Sequence, residues 1–187
     1  MLRYYLVVFI MLISCSIFAE PSISVATKYY KVNGLTESEL RQSLSNRSPV
    51  KEAGKTFDAY TAWNIKWRFF WEEKDNHCEI NRVNVTLKIN FTLPKWSNKD
   101  KASLALQSKW NKYYQALIAH ENGHKQLSVD SAREIERKLL GMSSSRCKSL
   151  EKKANALAQK ILAKYKKLQK AYDIDTNHGM NRGAVFP

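Results

Sequence analysis

Two runs of strict alternation, separated by a short turn, constrain this chain more than any other feature. Trp63, Ile65, Trp67, Phe69 and Trp71 alternate with Asn64, Lys66 and Arg68. Val83, Val85, Leu87, Ile89, Phe91 and Leu93 alternate with Asn84, Thr86, Lys88 and Asn90. Period two marks strands with one buried face. Glu72 to Asn76 turns the chain between them, so the pair reads as an antiparallel hairpin whose apolar side chains form the inner face of a sheet. Pro94 is expected to stop the second strand, because proline removes a ladder donor. Ahead of the hairpin, Pro21 to Val32 alternates like a strand. Thr36-Glu37-Ser38-Glu39 then opens a short helix carrying Leu40 and Leu44.

After Pro94 the period changes to that of a helix. Trp110, Tyr113, Tyr114 and Leu117 recur at three- and four-residue spacing, as do Leu127, Ile135 and Leu139 before a stop at Gly141. One bent helix or two would satisfy this pattern. Ser143 to Ser145 reads as a hinge-like loop. A last helix follows from about Cys147 to Ala171, with Leu150, Ala154, Leu157 and Ile161 on its apolar face and its many lysines facing water. Tyr172 to Pro187 is turn-rich. The expected class is α+β: an antiparallel sheet packed on a central helix and a long C-terminal helix.

The central helix carries His120-Glu121-Asn122-Gly123-His124. Histidines four apart on a helix lie about 40° apart around its axis, so both imidazoles reach one metal ion. The intervening glutamate projects beside that ion, where it can take a proton from a water the metal has acidified. This is the chemistry behind H-E-x-x-H as a zinc hydrolase signature. Two buried, hydrogen-bonded histidines on a structural helix are the plainer alternative. Gly123, unfavourable by about 1 kcal/mol inside a helix, marks a place where another segment or the substrate comes close.

A catalytic zinc takes three protein ligands, so one is missing. Asp130 lies about 9 Å past His124 along a continuing helix and off its face, and Glu134 lies about 15 Å further. The ligand must come from another segment. His178, in the turn after the last helix, is the first choice. Asp173 and Asp175 follow as ligands or as acceptors for a ligating imidazole, and His77 trails.

The opening Met-Leu-Arg, the apolar run from Tyr4 to Ile13 and the small-residue exit at Ala19 read as a signal peptide over residues 1–19. Leu12-Ile13-Ser14-Cys15 offers a second reading, a lipobox with Cys15 as the lipid site. Residues 20–187 then form a single domain in the periplasm or outside the cell. No later segment is apolar enough to span a bilayer. Cys78 and Cys147 remain and are expected to pair, closing a loop of about 70 residues that stabilises the fold by about 4 kcal/mol. Zinc thiolates and free buried thiols are the competing readings. The net charge of +14 favours anionic envelope surfaces or acidic substrates. Nucleic acid is not expected, since the chain reads as exported and has no nucleic-acid motif.

Four stretches together resemble the bacterial family known as domain-of-unknown-function family 922, described as secreted zinc-dependent proteases. They are Tyr60-Thr61-Ala62-Trp63-Asn64-Ile65, Thr92-Leu93-Pro94-Lys95-Trp96, His120 to His124, and Tyr172 to Gly179. The resemblance implies an exported zincin-like domain with His120 and His124 as zinc ligands and Glu121 as acid/base. The expected activity is therefore zinc-dependent hydrolysis of a peptide or protein substrate, possible envelope peptides included. Zn²⁺ would be held by His120, His124 and His178. The competing expectation is a non-catalytic, basic envelope-binding or assembly module whose metal is structural.

Overall fold

A computed structural model describes residues 20–187 apart from Ala53, so the signal-peptide and lipobox readings, including Cys15, lie outside the described residues. The fold is mixed α+β. Strands β1 (Ser22–Val32), β2 (Val50–Glu52), β3 (Lys55–Phe57), β4 (Tyr60–Lys74), β5 (His77–Trp96) and β6 (Ser143–Ser144) accompany helices α1 (Glu37–Arg47), α2 (Leu104–Leu139) and α3 (Cys147–Thr176).

The alternating runs form the expected hairpin. β4 and β5 pair antiparallel from Tyr60 opposite Thr92 to Lys74 opposite His77, with a bulge between Phe70 and Trp71. Asp75 and Asn76 turn the chain with φ of 51° and 57°. Two positive φ values give a two-residue turn the twist that matches its strands. His77 sits in this turn region, opposite Lys74.

The sheet is not antiparallel throughout. Its order is β1-β5-β4, and β1 runs parallel to β5, from Ser22 opposite Thr86 to Val32 opposite Trp96. Parallel neighbours need a long crossover. Here α1, the β2–β3 hairpin and β4 itself supply it. This register also corrects the expectation that Pro94 ends its strand. β4 pairing stops at Thr92, so β5 has only β1 beside it at Pro94, and a strand with one partner tolerates a missing N–H.

The central helical stretch is one helix. Ser103 caps α2 by accepting from the Leu106 N–H, and the helix runs 36 residues before Gly141 takes a φ of 76°. The expected hinge at Ser143 to Ser145 is instead partly strand, since β6 pairs with Cys78 and Glu79 of β5. Val129, Ala132, Ile135 and Leu139 of α2 pack with Val83, Val85, Leu87 and Ile89 of β5, and with Leu150, Ala154 and Ile161 of α3. A second apolar cluster joins Trp96, Trp110, Tyr113 and Leu117 to Val32, Leu40 and Phe186. The helix thus lies between two cores, which fixes its rotation. The residues between them, His120 to His124, have one defined orientation.

Cys78 near the start of β5 and Cys147 at the first residue of α3 form a disulfide with Cα atoms 5.3 Å apart across a sequence separation of 69. Replacing both with serine is expected to lower the unfolding free energy by about 4 kcal/mol, because the unfolded chain regains the entropy of an open loop. Urea denaturation reads this as an earlier midpoint. An unchanged midpoint would mean that the bridge adds nothing to stability.

Candidate metal centre

α2 brings His120, Glu121 and His124 together in the lining of a cleft of about 570 Å³. All three are nearly buried, at 6%, 4% and 9% exposure. The third member comes from α3. That helix does not stop at Ala171 but runs to Thr176, so Asp173 is helical, four residues after Gln169 on the same face.

Asp173 Oδ1 lies 2.9 Å from His124 Nε2 and 3.2 Å from His120 Nε2, and the two Nε2 atoms are 3.2 Å apart. A tetrahedral metal with ligand bonds of about 2.0–2.1 Å spaces its donors about 3.3 Å apart. These three atoms therefore form one face of such a tetrahedron, and the residues fit a metal ion. Two imidazoles and one carboxylate suit zinc or iron among the transition metals.

His178 does not join this triangle. Its ring stands 4.6 Å from that of Phe57, and its Nδ1 reaches only Asp173 Oδ1, at 3.5 Å. Both Asn177 and His178 adopt positive φ, 48° and 50°, a conformation that non-glycine residues hold at some cost. The turn they form sets the His178 ring at the rim of the cleft, 41% exposed at the side chain, beside the carboxylate. Among the described residues, the groups of metal-binding side chains include neither Asp175 nor His77, the other sequence candidates.

Close packing by two glycines holds the histidines. A Cβ on Gly123 would come within 2.2 Å of the Tyr172 hydroxyl oxygen, so the helix needs glycine there for Tyr172 to approach. Tyr172 stacks on the His120 ring at 5.0 Å and 10°, and meets the His124 ring edge-on. Its hydroxyl donates to the His120 carbonyl at 3.3 Å. Gly179, with φ of 81°, lies against His120 from the other side, where a Cβ would come within 2.8 Å of Cγ.

Glu121 is held by β4. The Thr61 hydroxyl donates to its Oε2 at 2.5 Å. Burial pushes the Glu121 carboxyl above its ordinary pKa, and the Thr61 hydrogen bond and the neighbouring His124 and His120 only partly offset this. At His124, burial lowers the pKa. Hydrogen bonds to Asp173 and Gln169 outweigh that and raise it, so a proton competes for the place a metal would take. Burial would raise Asp173, yet its contacts with His120 and His124 hold it well below the usual carboxylate range.

A family model described as "Bacterial protein of unknown function (DUF922)" matches residues 27–179. The chain belongs to this family. No curated protein and no solved structure matches it. The DUF922 match contains the whole donor triangle, Glu121, Thr61, His178 and both bridged cysteines.

The sequence reading left out Thr61 and Gln169. Gln169 is 8% exposed, its Oε1 lies 2.5 Å from His124 Nδ1, and its Nε2 donates to the His124 carbonyl and to Ser128 Oγ. Both had a signal. Thr61 is a polar residue in phase with Trp63 and Ile65, and Gln169 a polar residue four positions after buried Tyr165.

Proposed function

We propose that this chain is a zinc-dependent metallopeptidase acting in the periplasm or outside the cell, of zincin-like arrangement. The observation that carries this reading is the triangle of His120 Nε2, His124 Nε2 and Asp173 Oδ1 beside buried Glu121, in the lining of a cleft large enough for a peptide segment. Zinc held there would act as a Lewis acid, polarising a substrate carbonyl and acidifying a water. Glu121 would take a proton from the water that attacks the amide carbon, and would pass it to the amine as the C–N bond breaks. The choice of hydrolysis over other metal chemistry rests on Glu121, a buried carboxylate of raised basicity next to the donors. His178, which lines the same cleft, would be the donor to the developing oxyanion.

The cleft wall formed by α3 is positive. Lys166, Lys167 and Lys170 line it, and the ion pairs among the described residues leave them unmatched. This favours substrates that carry carboxylates. Export is supported by the disulfide, which belongs in oxidising compartments, and no helix among the described residues is long and apolar enough to cross a membrane. The test is hydrolysis of a mixed peptide library by purified protein, before and after chelation and after zinc is restored. Activity that chelation leaves intact would refute the proposal.

A second reading, a basic envelope-binding module with a structural metal, draws on one observation: Glu121 is 4% exposed and already engaged by Thr61. The pH profile separates the two. In an enzyme, Glu121 must be ionised, so activity falls as pH drops through its raised pKa. Thr61→Val removes a hydrogen bond that lowers this pKa. The acid limb of kcat/KM is therefore expected to shift to higher pH, with metal content unchanged. A shift to lower pH, or none, would count against Glu121 as the base.

A further inference from the structure

The donor triangle poses a protonation problem that the ligands themselves do not solve. A neutral imidazole carries one proton, on either nitrogen, and a metal needs the other nitrogen bare. His124 offers Nε2 to the triangle and Nδ1 to Gln169. In metal-free protein the Asp173 carboxylate, 2.9 Å from Nε2, competes for that proton, so its place is decided between the carboxylate and whichever atom of the Gln169 amide faces Nδ1.

The surroundings fix that amide. Gln169 Nε2 stands 3.0 Å from the backbone carbonyl of His124 and 3.1 Å from Ser128 Oγ. The Ser128 hydroxyl donates to the same carbonyl at 2.9 Å, so its oxygen is free to accept. A flipped amide would set Oε1 against a carbonyl oxygen that has no proton to give. With Nε2 held there, Oε1 faces His124 Nδ1 at 2.5 Å, and because an amide oxygen can only accept, the contact is a hydrogen bond when Nδ1 carries the proton. Gln169 and Ser128 are buried, at 8% and 0% exposure, so water does not substitute for either.

We propose that Gln169 is a positioning residue that holds the His124 imidazole in its Nδ1–H form and leaves Nε2 bare for the metal. The arrangement is a closed loop. The backbone carbonyl of His124 orients the glutamine, and the glutamine orients the ring of His124. The assignment rests on the metal reading of the triangle, but the protonation of the ring is measurable without metal.

The test is nitrogen-15 NMR of the histidine rings in metal-free protein, above the pH at which the imidazoles ionise, together with zinc affinity by chelator competition. The wild type is expected to show His124 protonated at Nδ1. Gln169→Met, of similar length but with no acceptor, is expected to move the proton to Nε2, beside Asp173, and to weaken zinc about 10–100-fold. Gln169→Glu restores an acceptor opposite Nδ1, but its second oxygen meets the His124 carbonyl with no proton to give, so it is expected to return the Nδ1 proton and only part of the affinity. A wild-type ring protonated at Nε2 overturns the proposal, with no variant needed. So does a Gln169→Met protein with unchanged tautomer and affinity. A chain that binds no zinc yet shows the Nδ1 proton refutes the peptidase reading and leaves the glutamine's role on the ring standing.

Discussion

Asp173→Ala is expected to strip the bound metal, whereas His178→Ala is expected to keep it. Dialysed protein, measured by elemental analysis, should hold about one zinc per chain in the wild type and in His178→Ala, following the three-ligand rule. In Asp173→Ala one donor of the triangle is gone. The loss of affinity should exceed the about 10–100-fold that changes behind a ligand produce. The physical ground is distance. Asp173 Oδ1 lies 2.9 and 3.2 Å from the two imidazole nitrogens, whereas His178 Nδ1 reaches only the carboxylate, at 3.5 Å. Zinc lost from His178→Ala but retained in Asp173→Ala would replace the triangle by a three-histidine site. Turnover should still fall in His178→Ala, because its side chain lines the cleft beside Asp173.

Glu121→Gln is expected to hold zinc as tightly as the wild type and to lose about 10²–10⁴ of its turnover, the range a general base supplies. The amide is nearly the same shape and can still accept from Thr61, so the packing around it is preserved. What disappears is the group that takes and returns the proton. Parallel measurement of metal content and hydrolysis separates this from a site that has come apart. A Glu121→Gln protein with full turnover would end the peptidase proposal.

The hairpin and the helices were legible because each carries a clean period: two from Trp63 to Leu93, close to four from Trp110 to Leu139. That His120 and His124 come together was legible from spacing alone. That Asp173 meets them was not. Asp173, Asp175 and Asn177 are turn formers by residue type, and by that measure the last helix ends at about Ala171. In the structure Asn177 is the left-handed cap, and the helix before it carries Asp173 round to the histidines. Tertiary packing overrode the weak helix propensity of aspartate. His178 was favoured by residue type, but the backbone turn that follows the helix aims its ring elsewhere. The direction of β1 was also beyond reach, since alternation says which face is buried and nothing about the sense of the neighbouring strand.

α3 is fastened at both ends. Cys147 ties its first residue to β5, and Asp173, about 39 Å further along a straight helix, belongs to the donor triangle. Two fastenings on one rigid rod act on one docking equilibrium. Whatever the sulfur bridge contributes to seating the helix, it would also contribute to holding a metal at the triangle, and by reciprocity a bound metal would protect the bridge from reductant. A chain still carrying free thiols would thus be a poor scavenger of zinc, and the competent site would assemble only after oxidation. On the proposed reading, redox state would serve as a latch on the chemistry, keeping the centre idle until the chain meets an oxidising compartment.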